Sequence, residues 1–251
     1  MLIMKVRVIG YYGGYPTKGV GTSSYLLTAG NYHLLIDCGS GDLLSLEKYF
    51  NPLKLNAVIL SHYHWDHIAD VGVLQYYWQL HTKGREEPIL PIYGNSEDPL
   101  NLGSLTWPNS TKGYGYNGNS KLKLGPLTIT FKRTIHPVPA YAMRIVDNNT
   151  HQVLVYTADS NYFEGLAKFA HNANLLITDT NYYADKNQVE PRWHMTSSEC
   201  GKLAKQAKCD KLLLSHLPQY GDLNQLVNEA RQTAGSHPKI ELAKVGKVID
   251  V

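Results

Sequence analysis

Three histidines and an aspartate fall within the short run His62-Tyr63-His64-Trp65-Asp66-His67. Its setting constrains the fold more than any other feature of the chain. Just before it, Ala57-Val58-Ile59-Leu60 is wholly apolar, the pattern of a short strand buried on both faces of a sheet. Just after it, residues 71–81 carry the periodicity of a helix. The run is therefore a junction between a buried strand and a helix. In its extended part His62 and His64 share a face, because side chains two apart point the same way. Asp66 and His67 lie where the chain turns into the helix, so they swing toward a second position nearby. Imidazole and carboxylate are the ligands of zinc and similar divalent ions, and the junction reads as a metal site.

Three further residues occupy the same structural position. His136 follows a predicted strand over 127–134, Asp159 follows one over 152–156, and His216 follows one over 212–214. Each stands at the carboxyl end of a strand, where open sheets gather their binding sites. One such residue would carry little weight, since a lone histidine is more often a satisfied structural group. Agreement among four segments defines a site. The other histidines, His33, His81, His151, His171 and His237, lie on strand faces, helix ends or loops and read as structural or surface residues.

Further strands are expected over 5–9, 24–28, 33–36, 89–93, 141–146 and 175–178, with 239–251 mostly strand. Helices are expected over 43–50, 163–171 and 223–234. Another runs from Thr196-Ser197-Ser198-Glu199, which has capping-box spacing, to about Lys208. The alternation predicts an α/β chain with two sheets packed face to face and helices outside. A length of 251 residues is near the upper limit for one hydrophobic core, so residues 1–251 are expected to form one domain. Residues 94–120 are polar, rich in Gly, Asn, Ser and Tyr, and show little periodicity; they read as a lid loop. Tyr114 and Tyr116 within it are candidates for stacking on a base, against the alternative of ordinary loop packing.

Composition narrows the class. Hydrophobic residues make up 43% and charged residues 18%, ordinary for a globular protein, and a net charge of +3 gives no argument for nucleic acid. Cys38, Cys200 and Cys209 are odd in number and have no paired spacing, so they read as reduced thiols in a cytoplasmic protein. The first residues, Met1-Leu2-Ile3-Met4-Lys5-Val6-Arg7, do not have the form of a signal peptide. No apolar stretch reaches the length of a membrane span.

The motifs together resemble the metallo-β-lactamase fold superfamily, and within it the ribonuclease Z branch. The resemblance rests on Ser61-His62-Tyr63-His64-Trp65-Asp66-His67 with Leu34-Leu35-Ile36-Asp37-Cys38-Gly39 before it. It extends to the segment beginning His136-Pro137-Val138-Pro139, to Tyr156-Thr157-Ala158-Asp159-Ser160 and to Leu214-Ser215-His216-Leu217. Gly14-Tyr15-Pro16-Thr17 and Thr22-Ser23-Ser24-Tyr25-Leu26 also match, so nearly the whole chain is covered. The third histidine stands in Ile135-His136-Pro137, not in the Gly-His-Thr turn of glyoxalase-type and lactamase-type members.

The resemblance implies a four-layer αββα sandwich of two mixed sheets. It implies two divalent ions, zinc by preference with manganese as the alternative. His62, His64 and His136 would hold one ion, Asp66, His67 and His216 the other, and Asp159 would bridge them. Asp37 would be buried behind the ligands and orient them. Two ions about 3.5–4 Å apart can hold a hydroxide between them and clamp a phosphoryl group. The branch is thought to protonate its leaving group from a histidine in a His-Ser/Met-Thr run, matched here by His194-Met195-Thr196. The supporting glutamate of a preceding His-Glu-Ala-Thr motif is replaced by Asp179 in Thr178-Asp179-Thr180-Asn181, one methylene shorter. Asp66, His194 and Asp179 are thus the expected catalytic set.

The expected activity is metal-dependent hydrolysis of a phosphodiester, on a small molecule or on RNA. The alternatives are hydrolysis of a lactone or thioester, and cleavage of transfer RNA at its 3′ end. The inserted arm that grips transfer RNA in ribonuclease Z, between the fourth and fifth motifs, has no counterpart between Asp159 and His216. A homodimer through the apolar stretch Leu74-Gln75-Tyr76-Tyr77-Trp78-Gln79-Leu80 is a further expectation, against plain core packing.

Overall fold

The computed structural model describes residues 3–185 and 191–251. The chain begins with β1 (Lys5–Gly10), β2 (Ser24–Ala29), β3 (Tyr32–Ile36), α1 (Asp42–Leu46), β4 (Ala57–Ile59), α2 (Trp65–Ile68) and α3 (Val71–Leu80). It continues through β5 (Leu90–Asn95), α4 (Pro99–Ser104) and β6 (Thr111–Tyr116). The second part comprises β7 (Lys121–Leu124), β8 (Leu127–Arg133), β9 (Tyr141–Asp147), β10 (Val153–Tyr156), α5 (Glu164–Phe169) and β11 (Leu175–Asp179). It closes with α6 (Ser197–Ala207), β12 (Lys211–Ser215), α7 (Leu223–Ala234), β13 (Lys239–Leu242) and β14 (Val248–Asp250).

Among the described residues the strands form two seven-stranded sheets, ordered β14-β1-β2-β3-β4-β5-β6 and β13-β12-β11-β10-β9-β8-β7. Both are mixed: β3 to β6 and β10 to β13 run parallel, and the remaining pairings are antiparallel. Their inner faces meet in one apolar layer that includes Val6, Leu27, Ile36, Ile129, Met143 and Ile177. Leu43, Leu46, Leu74 and Trp78 from α1 and α3 cover the outer face of the first sheet. Leu166, Leu203 and Leu226 from α5, α6 and α7 cover that of the second. The four-layer αββα architecture is as expected.

Several local expectations change. Residues 94–120 are not a structureless loop: they complete β5, form α4 and supply β6, the edge strand of the first sheet. None of them is among the residues lining the cleft described below. The sequence hides them for physical reasons. An edge strand with solvent on much of its surface needs no apolar alternation, and α4 buries no residue. Gly113 is required by close packing, since a Cβ there would lie 2.9 Å from the Leu102 carbonyl. Tyr116 is no base platform, because it is buried, stacks on Phe131 at 3.9 Å and donates its hydroxyl to the Leu60 carbonyl. Tyr114 stacks on Tyr93.

The helix expected over 43–50 stops at Leu46, and residues 239–251 split into β13 and β14, one in each sheet. In α3, Leu74 and Trp78 face the core while Tyr76 and Leu80 are exposed. Cys38, Cys200 and Cys209 are buried free thiols. No helix among the described residues is long and apolar enough to cross a membrane.

Helices α6 and α7 pack so closely that a Cβ on Gly201 would come within 2.1 Å of the Ala230 carbonyl oxygen. Intrinsic propensity favours alanine over glycine in a helix by about 1 kcal/mol. The contact is with backbone, which cannot turn aside, so overpacking wins and Gly201→Ala should destabilise the protein by about 1–3 kcal/mol. Thermal unfolding of the two proteins checks the sign; a Tm equal to or above that of the parent would contradict the packing argument.

Candidate metal centre

The parallel blocks explain why distant residues converge. Strands β10, β11 and β12 run side by side in one direction, and β8 shares that direction because it is antiparallel to β9. Their carboxyl ends therefore fall on one edge; Asp159, His216 and His136 follow β10, β12 and β8, and Asp179 is the last residue of β11. In the first sheet β3 and β4 end beside them, followed by Asp37 and by Ser61-His62-Tyr63-His64. His64 is the last extended residue before α2, which carries Asp66 and His67. The backbone is strained here: Asp37, Ala158 and His216 all have φ between 51° and 57°, a left-handed conformation that residues other than glycine adopt at a cost.

Three groups of donor atoms result, one of them being Asp179, His194 and His216; the other two make up the centre. One atom each from His62, His64, His136 and Asp159 lie within 4.8 Å of one another, as do one each from Asp66, His67, Asp159 and His216. Asp159 belongs to both. One of its oxygens is 3.3 Å from His67 Nε2; the other is 3.4 Å from His216 Nε2 and 3.6 Å from His62 Nε2. His136 Nε2 and His64 Nδ1 approach to 3.0 Å. Asp66 Oδ2 is 3.5 Å from His67 Nε2 and accepts the Gly14 N–H at 2.7 Å.

Hydrogen bonds behind the rings fix which nitrogen faces inward. His62 Nδ1 is 3.0 Å from Ser61 Oγ, His67 Nδ1 is 2.8 Å from Asp37 Oδ2, and His216 Nδ1 is 3.0 Å from Ser23 Oγ. His136 Nδ1 is 3.3 Å from the Trp193 carbonyl oxygen. The Nε2 atoms are thus turned to a common centre. Asp37 is buried and also accepts from the Ser61 N–H, the Ser61 hydroxyl and the Tyr156 hydroxyl.

The donor set fits divalent ions. His62 Nε2, His67 Nε2 and Asp159 Oδ1 are buried and have no hydrogen-bond partner, a costly condition for polar atoms that a cation among them relieves. Burial drives the His62 pKa well below its ordinary value and that of His136 down to about 4. These rings are therefore neutral, the form that ligates a metal. Burial opposes charge on His67 too, yet Asp159, Asp66 and Asp37 together hold its pKa well above the ordinary value. Burial alone would raise the Asp159 pKa; His216, His67 and His62 keep it well below the usual carboxylate range.

His194 stands beside these groups. Its Nδ1 is 2.7 Å from Asp179 Oδ2, so the shorter carboxylate does reach. Asp179 is anchored by the Ser160 N–H donating to Oδ2 and by its own N–H donating to Thr157 Oγ1. The His194 segment is pinned by two backbone bonds, Tyr182 N to the Met195 carbonyl and Ser197 N to the Tyr182 carbonyl. The expected capping box of α6 then fixes the helix start. Burial lowers the His194 pKa, but the facing Asp179 carboxylate overrides it and the ring is pushed up to about 9. Burial raises Asp179 in turn, so the pair retains its proton. The His194 ring stacks on His216, with centroids 5.2 Å apart.

All of this opens into a cleft of about 380 Å³ whose lining includes His64, Asp66, His136, Asp159, His194 and His216. Sequence reasoning gave no role to Ser23, which supports His216, or to Gln219, which donates to the carbonyls of Gly13 and Tyr15. It also missed the demand on Gly13, where a Cβ would lie 2.6 Å from His216 Nε2. Ser23 lies inside a recognised motif, the one signal that pointed to it; Gln219 carries none.

A family model described as the metallo-beta-lactamase superfamily matches residues 17–156, and the chain belongs to that superfamily, a metallo-hydrolase by class. Over 246 residues it is 46% identical to the Probable metallo-hydrolase YhfI of Bacillus subtilis (strain 168), covering 98% of this chain and 99% of that protein. The crystal structure of the metallo-beta-lactamase fold protein YhfI from Bacillus subtilis has a TM-score of 0.93 and 45% identity, with 99% of each chain covered. The ribonuclease Z of Myxococcus xanthus (strain DK1622) is 24% identical over 294 residues, covering 92% of this chain and 93% of that protein. The short form of human tRNase Z (ELAC1) shares the fold, with a TM-score of 0.73, 18% identity and 98% of each chain covered. The superfamily and the ribonuclease Z-like branch expected from the motifs are borne out.

The geometry around Asp37 generates a test. Asp37→Asn keeps the shape but turns one acceptor oxygen into a donor facing hydroxyl and N–H groups, so the His67 ring loses its support. Affinity for a divalent ion should fall about 10- to 100-fold, measured by calorimetric titration of the metal-free protein. Unaltered affinity would show that Asp37 serves folding alone.

Proposed function

We propose that this chain is a two-metal phosphodiesterase acting on a small phosphodiester, such as a cyclic nucleotide or a short oligonucleotide. The observation that carries the reading is the 2.7 Å contact between His194 Nδ1 and Asp179 Oδ2 beside the metal centre. Hydrolysis of a phosphodiester expels an alkoxide, a poor leaving group unless it is protonated as it departs. His194 answers that need: with Nδ1 held by Asp179, the proton available to substrate is the one on Nε2. Asp179 is the positioning carboxylate that keeps the ring turned and protonated.

Two divalent ions, zinc by preference and manganese as the alternative, would be held by His62, His64 and His136 and by Asp66, His67 and His216, with Asp159 between, supplying charge neutralisation and a nucleophile at neutral pH. Gly14 donates to Asp66 and steadies that carboxylate. Ser23, Ser61 and Asp37 orient His216, His62 and His67.

Two features favour a small substrate over transfer RNA. No lysine or arginine is among the described residues lining the cleft, whereas binding a polyanion depends on many cationic contacts. The described residues between Asp159 and His216 form only α5, β11, α6 and β12 as helices and strands, leaving no arm among them. The buried free thiols favour a cytoplasmic protein. Exposed Val73, Tyr76 and Leu80 on α3 favour a homodimer through that helix; sedimentation as a monomer at micromolar concentration would remove it.

Metal-loaded protein should hydrolyse bis-p-nitrophenyl phosphate, and chelation should abolish the activity, with zinc or manganese restoring it. Activity on a lactone or thioester but not on the diester would select the other hydrolase class. His194→Ala should lower kcat by about 10²-fold or more with metal content intact. Full turnover in that variant would exclude His194 as the proton donor.

A further inference from the structure

Two aromatic side chains stand at the mouth of the cleft, each partly open to solvent. Tyr15 is 60% exposed and Trp193 is 38% exposed, and both line the cleft with His64, Asp66 and His194. Among the described residues neither ring stacks on another ring, and neither the Tyr15 hydroxyl nor the Trp193 indole N–H has a hydrogen-bond partner.

Their main chains, in contrast, are tied to the metal centre. The Tyr15 N–H donates to the Gly13 carbonyl at 2.8 Å and its carbonyl accepts from Gln219 Nε2 at 3.0 Å. The neighbouring Gly14 N–H is bonded to Asp66. The Trp193 carbonyl accepts from His136 Nδ1. Each ring is therefore mounted on backbone whose position relative to a proposed metal ligand is fixed. A large apolar face held in water on a rigid mount gives up little conformational entropy when a flat group covers it. No lysine or arginine is among the described residues lining the cleft, which favours a flat group with no negative charge of its own.

We propose that Tyr15 and Trp193 form a stacking subsite for a planar, uncharged heterocycle attached to the scissile phosphodiester, which makes a nucleoside phosphodiester the substrate class. The proposal rests on the phosphodiester reading above and adds to it the determinant of specificity. Tyr15 and Trp193 bind; they take no part in the proton transfer.

The test compares two esters with one leaving group, thymidine 5′-(p-nitrophenyl phosphate) and methyl p-nitrophenyl phosphate, on the metal-loaded protein. The unsubstituted protein should favour the nucleoside ester in kcat/KM by about tenfold or more, the factor that stacking of one base supplies. Tyr15→Ala and Trp193→Ala should each shrink that ratio, and together abolish it, while Trp193→Phe retains most of it. A ratio near unity in the unsubstituted protein, or one that survives the double substitution, overturns the subsite and leaves the phosphodiester reading standing. Failure to cleave either ester overturns the phosphodiester reading, and the subsite with it. A second readout needs no turnover. Adenosine 5′-monophosphate should quench the tryptophan emission of the metal-free protein, and the quench should vanish in Trp193→Phe. A quench that persists in that variant also counts against the subsite.

Discussion

The buried carboxylate of Asp37 is the interaction on which the rest of the site depends. It follows β3 in the first sheet and accepts from Ser61 after β4, from His67 on α2 and from Tyr156 on β10 of the second sheet. One charged group thus joins both sheets and the segment that carries four candidate ligands. Such a group is expensive to bury and is tolerated only when fully hydrogen-bonded. The four donors supply that condition, and in doing so they fix the extended geometry that sends His62 and His64 to one face.

The remaining groups are set by the same logic of strand ends and buried supports. His62, His67, His136 and His216 each present Nε2 to the centre because Nδ1 is occupied by a serine hydroxyl, a carboxylate or a carbonyl. Asp159 lies between the two donor groups and is kept ionised by the histidines around it. His194 and Asp179 adjoin this centre through His216 and Asp159, and their own 2.7 Å contact fixes the His194 ring. In the proposed reading the arrangement separates two tasks: one set of residues would hold cations, and one pair would hold a proton where a leaving group departs. Preorganised charge of this kind is usually the largest contribution to catalysis.

Legibility in the sequence followed burial. The strands carrying the site are apolar and short, and they were read at nearly their observed positions, as were α6 and α7 with their capping and amphipathic signals. Residues 94–120 were misread because β6 is an edge strand and α4 buries nothing; neither needs the periodicity by which elements are recognised. Tyr114 and Tyr116 were candidates for contact with substrate because tyrosine in a polar segment suggests it. Tyr116 instead fills the space between the sheets, while Tyr15, within a matched motif, and Trp193, just before His194, reach the cleft.

The sequence by itself determined the candidate donor set and its order along the chain. A histidine or aspartate immediately after a buried strand is a local feature, and the side-chain chemistry is that of metal ligands wherever they fold. Only the tertiary structure decided which supports stand behind each ring, that Asp179 reaches His194, and which aromatic side chains face the cleft. Those contacts join residues far apart in sequence, such as Ser23 with His216 and Asp37 with Tyr156. They depend on the packing of one sheet against the other, and no local pattern of residues encodes a distance across that layer.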